Sequence, residues 1–127
     1  MRIRSRALSS LAAVALAVGG LTAAVATPAG AAPTAWSCPS GYFCAYTNFD
    51  GTGSRCQWQG DSSNWYNECS WASSTYPKSL FNNGTSGRGV TIYRYTGKVS
   101  PIGGCVDKGE HARLAGNYYI GSHSWNC

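Results

Sequence analysis

Val90-Thr91-Ile92-Tyr93-Arg94-Tyr95, closed by Thr96-Gly97, is the stretch on which the fold reading rests. Five of its six residues are β-branched or aromatic, the types that suit a pleated, half-buried surface. Side chains alternate across a strand, so Val90 and Ile92 share one face while Thr91, Tyr93 and Tyr95 share the other. Other segments carry the same signal more briefly. Tyr42 to Thr47 is short and aromatic, bounded by Ser40-Gly41 and Asp50-Gly51, and Ser79 to Asn82 precedes the turn dipeptide Asn83-Gly84. Tyr118 to Ile120 and Ser122 to Trp125 are weaker strand candidates. No segment keeps apolar residues at helical spacing for three turns. Short strands separated by Gly-rich turns predict an all-β fold, a β-sandwich of Greek-key type.

A faint internal repeat runs through these segments. Tyr42 to Tyr46 leads through a Gly-rich turn to Ser79-Leu80-Phe81-Asn82, and Ile92 to Tyr95 leads through Gly103-Gly104 to Ser122-His123-Ser124-Trp125. Each half is an aromatic strand, a glycine turn and a late serine beside an aromatic, which predicts two Greek-key motifs packed face to face.

The chain has 127 residues and a formal charge of +5, but Arg2, Arg4 and Arg6 all precede an apolar run. The remainder holds seven basic and five acidic residues, a net +2 that is too weak and scattered for a nucleic-acid footprint. Residues 1–31 read as a secretory signal: three arginines, an Ala/Val/Leu-rich run from Leu8 to Ala26, Pro28, and the small residues Ala29-Gly30-Ala31 before the cut. Residues 32–127 then form a single exported domain, expected to be extracellular, monomeric and free of membrane once the signal is removed. In that compartment six Cys argue for three disulfides. Zinc fits poorly, because the gaps between successive Cys are 6, 12, 13, 36 and 22 residues. Six Cys allow fifteen pairings and spacing alone does not choose among them; joining chain neighbours, Cys38 with Cys44, Cys56 with Cys69 and Cys105 with Cys127, is the expectation.

Nothing in the chain assembles into an enzyme. His111 and His123 are the only histidines, and neither belongs to a His-Glu-x-x-His pattern. Asp107, Glu110 and His111 read as a solvated polar loop. Thr75-Tyr76-Pro77-Lys78, ahead of Ser79, lacks calcium ligands, so neither a metal nor a cofactor is expected. Trp58, Trp65 and Trp71 crowd a Ser/Asn-rich stretch; they fit the core of a small β-domain, or alternatively a stacking platform for polysaccharide.

Cys38-Pro39-Ser40-Gly41-Tyr42-Phe43-Cys44-Ala45-Tyr46 resembles the opening signature of a secreted bacterial peptidase-inhibitor family, that of the Streptomyces metalloproteinase inhibitor. Phe43 to Gly51, ending Asn48-Phe49-Asp50-Gly51, resembles the aromatic-to-glycine hairpin of βγ-crystallin Greek keys, the fold of that family. Leu80 to Thr85 followed by Val90 to Tyr95 is similar to its mid-chain strands. The resemblance implies a crystallin-like domain that inhibits extracellular metallopeptidases through an exposed, substrate-like loop after the central strand. That loop maps to Pro101 to Lys108. Cys105 would be its disulfide anchor, Val106 the residue entering the enzyme's pocket, and Gly103-Gly104 the stretch that lets the backbones approach. The family loop closes with a second Cys a few residues on, whereas the next Cys here is Cys127. A carbohydrate-binding module and a crystallin-like toxin or structural protein are the alternative functions.

Overall fold

A computed structural model describes residues 34–127; the expected export signal, residues 1–31, lies outside them. Among the described residues, seven strands form two antiparallel sheets: β1 (Tyr42–Tyr46), β2 (Arg55–Trp58), β3 (Ser79–Asn83), β4 (Val90–Tyr95), β5 (Val99–Val106), β6 (His111–Arg113) and β7 (Ser122–Ser124). One short helix, α1 (Trp65–Glu68), lies between β2 and β3; the Asn64 side chain caps it by accepting from the Asn67 N–H. The first sheet has the order β2-β1-β3-β6 and the second β5-β4-β7.

The two halves of the chain interlock. β1 and β2 form a hairpin onto which β3 adds, and β4 and β5 form another onto which β7 adds. β6, from the second half, completes the first sheet beside β3. Ser62, from the first half, reaches β7 as an isolated bridge to His123. The faces between the sheets are apolar by alternation. Phe43, Ala45, Leu80, Val90 and Ile92 all point into the core, which Trp58, Trp65, Val106, Leu114 and Ile120 complete. On the outer face of β4, Tyr93 is also buried, and its hydroxyl accepts from the Asn126 amide at 3.2 Å.

The six Cys form three disulfides between chain neighbours, Cys38–Cys44, Cys56–Cys69 and Cys105–Cys127. Cross-links of this kind restrict the unfolded chain of a domain whose core is small.

Two expectations are corrected, and of the two readings of the tryptophans the structure shows the core one. Trp65 is fully buried, Trp58 is buried and stacked on it with ring centroids 4.3 Å apart, and Trp71 is half-buried, so the alternative platform is not exposed. Burial is tolerated because the first two indoles find acceptors, Trp58 in the Glu68 carboxylate at 3.0 Å and Trp65 in His123 Nδ1 at 2.8 Å. Pro101 to Lys108 is not a free loop, since β5 runs from Val99 to Val106 along the edge of the second sheet. Pro and Gly are tolerated on an edge strand because one side has no ladder to maintain. Tyr118 to Ile120 is not a strand; only Ile120 is fully buried there.

Candidate functional site

The connection between β4 and β5 projects from the second sheet on a clamped base. The Ser122 hydroxyl accepts from the Lys98 N–H at 2.9 Å and donates to the Tyr95 carbonyl at 2.6 Å, bridging both sides of the hairpin. The Gly97 N–H donates to the Ser63 carbonyl at 2.8 Å. Gly121 lies against the Tyr95–Thr96 peptide so closely that a Cβ there would sit 2.4 Å from the Tyr95 carbonyl carbon. The Lys98 ammonium reaches Asp61 at 2.9 Å. Burial alone would raise the Asp61 carboxyl, but the Trp125 N–H, the Lys98 ammonium and the Ser124 hydroxyl together hold it below the usual carboxylate range. Such a base leaves the tip little conformational entropy to lose on binding.

Beyond the base the chain is open to solvent. Tyr95 is 56 % and Val99 52 % exposed, and they are cross-strand partners. Lys98 and Ser100, on either side of Val99, both adopt left-handed backbone angles, φ 62° and 61°. Side chains with a Cβ rarely hold that conformation, and outliers of this kind cluster where a chain is shaped for binding or catalysis. Among the described residues no strand lies on the outer side of β5, so it offers unpaired backbone donors and acceptors to an incoming extended chain.

The residues singled out from the sequence divide here. Ile102 pairs with Ile92 and Val106 with Val90, so four steps along β5 face two along β4. Gly103, Gly104 and Cys105 therefore form a bulge, with Gly103 at φ 65°. Gly103 and Gly104 are exposed, and Cys105 ties the bulge to Cys127. Gly89 beneath it is obligatory, because a Cβ there would lie 2.0 Å from Cys105 Sγ. Val106 does not project. It is only 5 % exposed and packs in the core, because the bulge returns the strand to register with an inward-facing position. In its place Val99 is the exposed apolar side chain of the segment, and neither it nor the Lys98–Asp61–Ser122 clamp was legible as a site. The one available signal was the late serine of the internal repeat.

His123 sits behind the clamp, fully buried. An indole N–H only donates, so Trp65 fixes His123 Nδ1 as an acceptor and places the imidazole proton on Nε2, 2.8 Å from the Gly60 carbonyl. Burial pushes its pKa down to about 4, against the Gly60 hydrogen bond and the Asp61 and Glu68 carboxylates. Asp107 to Glu110 is a turn closed by its own hydrogen bonds, Asp107 N–H to the Glu110 carboxylate and Glu110 N–H to the Asp107 carbonyl, and His111 begins β6. Among the described residues no group of three or more His, Cys, Asp or Glu side chains is placed to hold a metal ion.

No curated protein and no solved structure matches the chain. A sequence-family model does: that of peptidase inhibitor family I36, over residues 31–106, a span that includes β1 to β5 and both hairpins. With more than half of its length matched, this chain belongs to peptidase inhibitor family I36 and is an inhibitor protein, not an enzyme.

Proposed function

We propose that the chain acts outside the cell and inhibits a metallopeptidase by occupying its substrate cleft with the second hairpin and the β5 edge, residues 96–104. The observation that carries this reading is an apolar side chain, Val99, held exposed between two left-handed residues on a base clamped from three sides. Peptidases bind substrates as extended chains, and a free sheet edge presents that geometry already formed. Val99 would enter the pocket that selects an apolar residue beside the scissile bond. Gly103 and Gly104 would admit the enzyme's backbone, and Cys105 would anchor the end of the segment. Membership of the inhibitor family supports the role, and three disulfides support an extracellular setting. The exchange of β6 and Ser62 between the two halves supports the reading of paired crystallin-like Greek keys.

The test is titration of a thermolysin-like metallopeptidase, alongside serine and cysteine peptidases, with the purified chain from residue 32 onward. Stoichiometric inhibition of the metallopeptidase is expected. Inhibition confined to another mechanistic class would overturn the choice of target, and no inhibition at micromolar concentration would overturn the reading.

A further inference from the structure

A small β-domain has few large apolar side chains and normally buries them. Among the described residues this one leaves five exposed: Tyr95 and Val99 by more than half, and Phe49, Tyr66 and Tyr76 by just over a third. Four of the five are not scattered. Tyr66, Tyr76 and Tyr95 line a single cleft of about 250 Å³ together with Tyr118, Tyr119 and Arg94, and Val99 is the cross-strand partner of Tyr95 on the hairpin beside it. The cleft is assembled from four separate segments: α1, the approach to β3, the end of β4 and the approach to β7.

The cleft is held in shape before anything enters it. The Tyr76 and Tyr119 rings pack at 4.6 Å between centroids, and the Arg94 guanidinium lies 5.2 Å over the Tyr118 ring. The Lys78 ammonium donates to the Asn117 side chain and lies 5.7 Å from the Tyr76 ring centroid. Burial, and then the neighbouring Tyr119 and Tyr95 hydroxyls, raise the Tyr66 pKa, which keeps its phenol neutral. Its lining holds a cation in Arg94, Lys78 stands beside it, and no carboxylate lines it. Arg94 and Tyr95 also border the groove along Ser100 to Gly103, so cleft and hairpin form one continuous surface.

We propose that this tyrosine cleft is a second contact of the inhibitor, an exosite that seats an acidic segment of the target peptidase flanking its substrate cleft. The proposal rests on the inhibitory reading of the hairpin and names what lies beside it. Tyr and Arg are the residues most enriched among those that dominate protein–protein binding energy. Tyrosine also supplies large contact area at low entropic cost. Arg94, already stacked, would meet a carboxylate of the enzyme as a planar, preorganised donor. Contiguity with the hairpin favours a protein occupant over a glycan, since any enzyme that receives Val99 must also face Tyr95.

The experiment compares the wild-type chain with Arg94→Glu and Tyr66→Ser against the thermolysin-like metallopeptidase, with Arg88→Glu as a control on the distant cleft beside Trp125. Far-ultraviolet circular dichroism and thermal midpoints check that each variant is folded. The expected result is inhibition about 10- to 100-fold weaker for the two cleft variants, carried mainly by faster dissociation, with salt weakening the wild type but not Arg94→Glu. Arg88→Glu should inhibit like the wild type. Inhibition unchanged in both cleft variants overturns the exosite and leaves the hairpin reading standing. No inhibition by the wild type overturns both. Retention of the wild type on insoluble polysaccharide, lost in Tyr66→Ser while inhibition is unchanged, would make the cleft a glycan site and overturn a protein occupant.

Discussion

In the first half of the molecule the hairpin between β1 and β2 is closed by Ser79, whose hydroxyl accepts from the Gly51 N–H at 3.0 Å and donates to the Asn48 carbonyl at 2.7 Å. In the second half Ser122 makes the same pair of bonds to Lys98 and Tyr95, at 2.9 and 2.6 Å. Two serines 43 residues apart thus staple two hairpins by one device. The surroundings differ. The Trp36 N–H donates to the Gly51 carbonyl at 2.9 Å, and its ring lies where a Gly51 Cβ would be. That indole also stacks on His111 at 4.2 Å, so the first hairpin is roofed and Gly51 is buried. Among the described residues nothing comparable covers residues 96–101, all of which are exposed. The left-handed non-glycine of the first turn is Asp50, a type that tolerates the conformation, whereas the second turn places Lys98 and Ser100 there. A common staple makes each hairpin rigid, and only the unroofed one is available to a partner.

The sharpest test of that division separates two valines of one strand. Val106→Asp would place an unpaired carboxylate in the core beside Val90 and Leu80, a loss expected to exceed about 4 kcal/mol and to abolish cooperative unfolding. Val99→Asp changes a solvent-facing side chain, so the denaturation midpoint should move by no more than about 0.5 kcal/mol while inhibition disappears. If Val99→Asp inhibited as well as the wild type, the exposed hairpin would not be the working surface. A folded Val106→Asp would show that β5 does not return to the core after its bulge.

The same two valines mark how far the sequence is legible. β4 is read over Val90 to Tyr95 because strand propensity and alternation are local. β5 is missed because Pro101, Gly103, Gly104 and Cys105 look like loop punctuation, and only the edge position, a property of the sheet, makes them acceptable in a strand. Val106 is misassigned for a related reason: the offset of two residues leaves it on the inward face it shares with Ile102, and the pairing that shows this is not written in either segment alone. The tryptophans are legible as core pieces but not in their partners, since the acceptor that makes Trp65 buriable is His123, 58 residues away. The serines are visible as a repeat, but what they bridge is not.

Acid probes the seam between the two halves, through His123 and its bonds to Trp65 and Gly60. An unfolded histidine titrates near pH 6.5, while the folded one, buried and accepting from Trp65, holds off the proton to about pH 4. Between these values the unfolded state binds more protons, so stability is complete above pH 6.5 and falls as the pH drops toward 4. The cost is on the order of 1.4 kcal/mol for each unit of pKa difference. Denaturant midpoints between pH 7 and 4 should show the decline, and His123→Gln should flatten it. A wild-type profile flat through this window would mean that protonation does not disturb the Trp65–His123–Gly60 chain.

The smallest expected effects fall on the staples themselves, and they bear most directly on what the roof contributes. Ser79→Ala leaves the buried Gly51 N–H and the Asn48 carbonyl without their partner, and Trp36 keeps water from replacing it. A loss of about 1–3 kcal/mol is expected, with inhibition of the remaining folded protein unchanged. Ser122→Ala frees the Lys98 N–H and the Tyr95 carbonyl in a turn that water reaches, so stability should fall less, by about 1 kcal/mol. Its functional cost should be the larger of the two. Without the bridge, the left-handed angles at Lys98 and Ser100 lose their support, and the tip must be ordered on binding at the expense of affinity. Paired measurement of denaturation midpoint and inhibition constant for both variants therefore has a crossed outcome: Ser79 moves stability more, Ser122 moves inhibition more. If both variants lost stability equally and neither lost inhibition, hairpin rigidity would have no part in the binding, and exposure alone would distinguish the two halves.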